Sequence, residues 1–265
     1  MSKTKVEIIY ENADIVIVNK PAGVSVTKDR EGGDDILGLL QKQFGVDEKL
    51  KLVHRLDKFT SGVMLLAKNT SAQSQYSSFF AKRKVEKTYL ALVQGPLPAL
   101  RGRISSPLSR SRKDPKKMVV DPRRGKEAVT DWEVIADFGS ICLVAVRPLT
   151  GRTHQIRVHF SSIGSPLSID PLYGGEDKLL LSRFKIGYRL ARGKTESPLI
   201  ERLSLHAYEL IVPGSDLGDS MRFIAPLDRK FKAAVKMLTK HSAGGQGAFI
   251  KGDNFAHILE SNPLL

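Results

Sequence analysis

"VEIIY" and "DIVIVNKPAG" are short apolar runs rich in Val and Ile. They predict two short strands joined at Glu11 to Ala13, the second stopped by Pro21, which donates no ladder hydrogen bond, and by Gly23, which permits a turn. "DDILGLLQKQF" predicts a short helix. A polar stretch, "LVHRLDKFTS", then feeds the apolar run "GVMLLAK", a strand. "TSAQSQYSSFFAKRK" has polar residues to cap its start and Phe79 and Phe80 on one side, which predicts a helix. "KTYLALVQG" is a strand with a Gly-Pro stop. "AVTDWEVIADFGSICLVAVRPLTG" predicts a strand pair turning at Asp137 to Ser140. In "RTHQIRVHFSSIG" the residues Ile156, Phe160 and Ile163 recur at helical spacing, Gly164 and Pro166 stop the helix, and Thr153 is its expected N-cap. "RLSLHAYELIV" restores alternation, with Leu203, Leu205 and Ala207 on one face. No internal repeat is visible. Strands interleaved with few helices, in no strict alternation, predict one α+β domain over a doubly wound parallel sheet.

The remaining segments are irregular. Arg101 to Lys126 carries ten basic residues against two acidic ones, with Pro107, Pro115 and Pro122, and predicts a partly flexible basic loop or hairpin. Asp177 to Glu201 is charged and reads as a variable surface arm. From Lys240 the chain turns Gly-rich, so the folded domain is placed at 1–240 and a mobile tail at 241–265. Charge sharpens the picture: 42 Lys and Arg against 28 Asp and Glu give a formal +14, an excess that implies an anionic partner, nucleic acid before a membrane surface. No apolar run approaches the roughly 18 to 20 residues that span a bilayer. Lys, Glu and Asp interrupt the N-terminal apolar positions, unlike a signal peptide, so a cytoplasmic location is expected. The single cysteine, Cys142, can form no internal disulfide and sits in "SICLVAV", where a small buried side chain is expected.

The candidate chemistry centres on Asp57 in "HRLDKFTSG". A loop carboxylate two residues after an Arg is either an ion-pair staple or a nucleophile, and both readings stay open on position alone. The loop opens onto a buried strand, and Thr60, Ser61 and Gly62 offer turn hydrogen bonds and close backbone approach, the rigid support a nucleophile requires. Arg157 lies beside the apolar stripe of its helix, where it is either a solvated Arg or one reaching into the rim of a site. Tyr89 is aligned with Ala91 and Val93 and reads as a core tyrosine unless it lies beside a carboxylate in a cleft. His54, His154, His159 and His206 make no metal signature, and there is no phosphate-binding loop, dinucleotide fingerprint or nucleophile elbow. The density of the basic run points to phosphate contacts by Arg110, Arg112, Lys113, Arg123 and Arg124.

"HRLDKFTSG" resembles the HRLDxxTSG signature of the RluA-type pseudouridine synthases, and "VNKPAG", "KTYLALVQG", "TGRTHQIRVH" and "LSLHAYEL" resemble further motifs of that family in the same order, over about Val6 to Ala225. The resemblance implies isomerisation of uridine to pseudouridine in structured RNA, ribosomal or transfer, on a mixed, largely antiparallel sheet crossed by the active-site cleft. It implies Asp57 as nucleophile, Arg157 paired with it, Tyr89 stacked on the target base, Arg55 filling the space of a flipped nucleotide, and Leu205 walling the base. No cofactor or metal, no membrane and no obligatory protein partner are expected, and the chain is expected to be a monomer. A catalytically idle RNA-binding protein on the same fold is the alternative. Many relatives carry an N-terminal S4-like RNA-binding domain; none is expected before the first strand here, so the basic loop and the arm are expected to do more of the target selection. "GSPLSIDPLYGG" departs from the family's GHPLLGDxxYG at Ser165, Ser168 and Ile169 and retains Asp170 and Tyr173.

Overall fold

The computed structural model describes residues 5–28, 34–45, 49–214, 219–242 and 245–250. In chain order the elements are β1 Glu7–Glu11, β2 Ile15–Lys20, α1 Ile36–Phe44, β3 Lys51–Leu52, β4 Ser61–Ala67, α2 Thr70–Ala81, β5 Glu86–Gln94 and β6 Arg101–Ser105. There follow β7 Leu108–Arg110, β8 Met118–Val120, β9 Val129–Asp137, β10 Ile141–Pro148, α3 Gln155–Ser162, β11 Leu205–Pro213, β12 Ser220–Ile224 and α4 Arg229–His241. The class is α+β with mixed, largely antiparallel pairing, β4 and β11 being a parallel pair. The chain falls into two compact units, residues 5–89 with 206–226 and residues 90–205 with 227–250.

In the first unit β1, β2, β4 and β11 lie in that order, with β12 beside β11 and β3 beside β4. Asn12 makes the β1–β2 turn by accepting from the Asp14 and Ile15 amides at 2.9 and 2.8 Å, the side-chain mimic of a backbone turn for which Asn is suited. β4 is buried at every residue and lies between β2 and β11. Both of its faces are covered, which is why its sequence is a continuous apolar run instead of an alternation. Met64, Leu65 and Leu66 are wholly buried, each worth roughly 1.5–3 kcal/mol. α1 adds Ile36, Leu39 and Leu40 to this core and α2 adds Ala72 and Tyr76. Both helices start on side-chain caps, Asp35 accepting from Gly38 N–H and Asn69 from Ala72 N–H. Gly62 is dictated by its neighbour. Its φ is +115°, and a Cβ there would fall 2.0 Å from the carbonyl oxygen of Ala207 in β11.

In the second unit β10 lies between β5 and β9, and β6 pairs with β9. The β9–β10 hairpin turns as the sequence predicts, with Gly139 at φ +87° and its amide donating to Asp137 Oδ1. Cys142 is buried in β10, and burial first, then the Asp137 charge, pushes its thiol up to about 12. The expected Thr153 cap is not the one used. α3 begins at Gln155 after His154 at φ +53°, and Gln155 closes the entrance by accepting from the Arg152 amide at 3.0 Å and from Thr150 Oγ1 at 2.7 Å. The basic segment divides: Arg101–Ser105 is a sheet strand, and β7 with β8 forms a separate two-stranded hairpin. In the 177–201 arm a single-turn helix, Leu181–Arg183, and a bridge of Leu179 to Ile200 give local order. Of the Gly-rich tail, Phe249 bridges Ala136 and meets Phe138 edge-on at 6.0 Å, whereas 251–265 lie outside the described residues. The sequence reading had neither β12 nor α4, although Phe231, Ala234, Val235 and Leu238, all buried in α4, recur at i, i+3, i+4 and i+7.

Candidate active site

Asp57 sits half-buried between β3 and β4, on a loop tied down on both sides. Upstream, His54 accepts the Leu65 amide of β4 at Nε2, 2.9 Å, and its ring stacks on Phe80 with centroids 4.4 Å apart. An imidazole that accepts at Nε2 is neutral there, and burial first, then the charge of Lys87, holds its pKa down to about 3. Leu56 is buried beneath the loop, and the Thr60 amide donates to the Asp57 carbonyl at 3.1 Å to close a turn. Downstream, the Lys58 carbonyl accepts from the Gly23 amide at 2.8 Å and from Lys20 Nζ at 3.1 Å. Lys20 is wholly buried and also donates to the carbonyls of Pro21 and Val24 at 3.0 and 2.8 Å. "VNKPAG" and "HRLDKFTSG", distant in sequence, are thus one structure: an ammonium at the end of β2 gathers the carbonyls of both loops. Behind them Ser61 Oγ lies 2.8 Å from His206 Nδ1, and His206 Nε2 lies 3.0 Å from the Ala225 carbonyl. A carbonyl can only accept, so Nε2 carries the proton and Ser61 donates to Nδ1. The "TSG" and "LHA" motifs are joined by that bond and by the Gly62–Ala207 approach.

The first unit therefore brings Asp57, Arg55 and Tyr89 together. Arg55 is exposed on the Asp57 loop; Tyr89, in β5, is half-buried. Desolvation, and after it the nearby Asp57 carboxylate, raise the Tyr89 pKa far above the ordinary tyrosine range, so its hydroxyl stays protonated.

The second unit holds Arg157, Leu205 and the basic hairpin. The sequence placed Arg157 beside the apolar stripe of its helix. In the fold Gln155 through Phe160 are all buried, and Arg157 is only 8% exposed. Its Nε and Nη2 donate to Asp170 Oδ2 and Oδ1, both at 2.7 Å, a two-pronged pair. Tyr173 covers the guanidinium, its ring centre 4.9 Å from the Arg157 carbon. The Tyr173 hydroxyl accepts the Met118 amide of β8 at 2.8 Å and lies 2.7 Å from His154 Nδ1, so the retained Asp and Tyr of "IDPLYGG" brace one functional candidate and anchor the hairpin. His159 is also structural, with Nδ1 2.8 Å from Thr130 Oγ1 and Nε2 3.0 Å from the Ser106 carbonyl. Leu205 is buried at the start of β11. Arg110, Arg112, Lys113, Arg123 and Arg124 are all exposed on or beside the hairpin. Asp121 presents the last two by accepting their amides at Oδ1, at 3.2 and 3.0 Å, and Ser111 and Asp114 shape the tip between β7 and β8 in the same way. Lys20, Asp170 and Tyr173 are the positioning residues that sequence reasoning did not assign. The signal for the first was a Lys fixed before a Pro-x-Gly turn, and for the others the survival of two polar residues in a segment that otherwise departs from its pattern.

Among the described residues no group of three or more His, Cys, Asp or Glu could hold a metal ion, and no helix is long and apolar enough to cross a membrane. A family profile described as RNA pseudouridylate synthase matches residues 14–162, a span that contains Asp57, Tyr89 and Arg157. The chain belongs to that family, whose members are isomerases. It is 36% identical over 236 residues to ribosomal large subunit pseudouridine synthase C of Buchnera aphidicola subsp. Schizaphis graminum, covering 87% of this chain and 70% of that protein. To ribosomal large subunit pseudouridine synthase D of Borreliella burgdorferi it is 36% identical over 242 residues, 87% of this chain and 68% of the relative. Among solved structures, human RNA pseudouridylate synthase domain containing 1 superposes with a TM-score of 0.70 at 26% identity, covering 99% of this chain and 98% of its own. Human RNA pseudouridylate synthase domain containing 4 gives 0.66 at 29% identity over 88% and 92%.

Proposed function

We propose that this protein isomerises uridine to pseudouridine in large-subunit ribosomal RNA, with Asp57 as the nucleophile. The RNA class rests on the names of the relatives, and transfer RNA is the other outcome of the mapping below. The observation that carries the role of Asp57 is its setting: a half-buried carboxylate on a loop pinned by Lys20, Gly23 and His54, in reach of a tyrosine that keeps its proton. In the reaction an Asp57 oxygen bonds to C1′ of ribose as the C1′–N1 bond breaks and its electron pair leaves with the uracil. The base turns, C5 bonds to C1′, and the carboxylate departs. C5 gives up its hydrogen to water, and N1 takes one up. The atoms balance with no cofactor. Tyr89 offers a ring for the target base and a hydroxyl that donates instead of acting as a free base. Arg55 occupies the space left by the extruded nucleotide.

Wild-type protein and 5-tritiated large-subunit ribosomal RNA should release tritium to water with or without chelator. Asp57→Asn keeps the shape but not the nucleophile. Its rate should fall below about a hundredth of wild type, with RNA binding equal or tighter as one negative charge leaves. Retention of more than about a hundredth of the wild-type rate would make Asp57 a staple. Binding without release by the wild type would leave the idle RNA-binding protein. Mapping pseudouridine in total RNA from a deletion strain against its parent identifies the RNA. Arg157 is the poorer residue to test, since its removal strands the buried Asp170 carboxylate at a cost of about 3–5 kcal/mol.

A further inference from the structure

Two residues after Asp57, Phe59 is 51% exposed, the most exposed aromatic among the described residues with large apolar side chains on the surface. Its neighbours are cations: Lys58 Nζ lies 5.8 Å from the ring centre, and Arg55 is exposed on the same loop. The backbone beneath it does not wander. Lys58 is held through its carbonyl by Lys20 and Gly23, Thr60 is hydrogen-bonded back to Asp57, and Leu56 and Thr60 are buried on either side. An aromatic ring fixed in place, open to solvent and set among positive charges, is the arrangement that binds single-stranded nucleic acid, because every base has a face to stack and every linkage a phosphate to neutralise. Distance limits which base is meant. Positions 57 and 59 are two residues apart, so their Cα atoms lie within roughly 7 Å of each other, and a ring so near the nucleophile reaches the target nucleotide or an immediate neighbour. Tyr89 is already given to the target.

We propose that Phe59 is a stacking platform for the nucleobase flanking the target uridine, and so a determinant of which sequence contexts are modified. This rests on the functional reading above. Binding the flanking base holds the strand on the side from which the uridine has been extruded, and purines, with the larger faces, are the favoured neighbours.

Two measurements on the intact protein test it. Trp132, the only native tryptophan, is 5% exposed and gives a steady background, so the indole of Phe59→Trp should be quenched on titration with in vitro transcribed large-subunit ribosomal RNA. In tritium-release kinetics Phe59→Ala should lower kcat/KM by about five- to a hundredfold, the range expected for one stacked base, with the larger part in KM. Phe59→Tyr should recover most of that loss, and Phe59→Leu, apolar but without a π face, should not. On a short RNA carrying the mapped uridine with an abasic flanking residue, wild type should fall to the level of Phe59→Ala, and Phe59→Ala should lose nothing more. A Leu variant equal to wild type, or an abasic penalty that Phe59→Ala still pays in full, overturns the platform. Absence of tritium release from wild type would defeat the functional reading instead, and the indole quenching would still decide whether RNA meets this ring; an unquenched indole on bound RNA rules it out.

Discussion

His54 shows how one residue can make the candidate site sensitive to acid. Its ring is neutral in the fold, held to a pKa of about 3 by burial and then by Lys87, while an unfolded histidine titrates near 6.5. Between those values the unfolded chain carries a proton that the folded one does not. Its contribution to stability is therefore complete above about pH 6.5 and drains away as pH falls toward 3. His159, lowered mainly by burial, acts in the same direction. His54→Gln keeps an acceptor for the Leu65 amide and removes the titration, so its melting temperature should fall less than that of wild type between pH 6.5 and 4.5. The expected difference is about 1–3 kcal/mol at the acid end, a few degrees for a chain of this size. Parallel acid dependence in the two proteins would show that His54 is not the group responsible.

At the scale of elements, Tyr173 joins the basic hairpin to α3. Its hydroxyl accepts from Met118 in β8, and its ring lies over Arg157. Tyr173→Phe keeps the ring and strands a backbone donor, which should cost about 1–3 kcal/mol. Amide exchange at Met118 should accelerate more than at β4, and equal protection in both proteins would mean the hairpin is held by its apolar contacts alone. Much at this scale was legible in the sequence. The strands β2, β4, β5, β9 and β10 and the helix α3 follow from their apolar runs or spacing, and β2, β5 and α3 also from a Gly or Pro just beyond their ends. Asp57 stands out as a candidate because its motif is long. What could not be read is who holds whom. The pairing of Arg157 with Asp170 closes a gap of thirteen residues, and nothing in the spacing reveals it. The start of α3 differs from the Thr153 cap expected of its sequence because the Gln155 side chain folds back on its own turn and takes the Arg152 amide. In α4 the apolar spacing is clear, but Lys and Arg crowd the positions between and dilute it.

At the scale of the whole molecule, part of the charge excess gathers on one hairpin. Arg110, Arg112, Lys113, Arg123 and Arg124 stand exposed around one hairpin, and their replacement by Gln should leave the melting temperature near that of wild type while weakening RNA binding. If they neutralise four or five phosphates, the slope of log affinity against log salt should flatten by about 3 to 4. An unchanged slope would make them a solvated face. The Asp57 loop faces the opposite demand. It is gathered on the Lys20 ammonium before any RNA arrives. Freezing a backbone costs about 1–2 kcal/mol per residue, and a slack loop would take that from its contacts with the substrate. Here the ordering is complete when the chain has folded, and the grip on the RNA is left whole for lifting a uridine out of its stack, which itself requires a few kcal/mol.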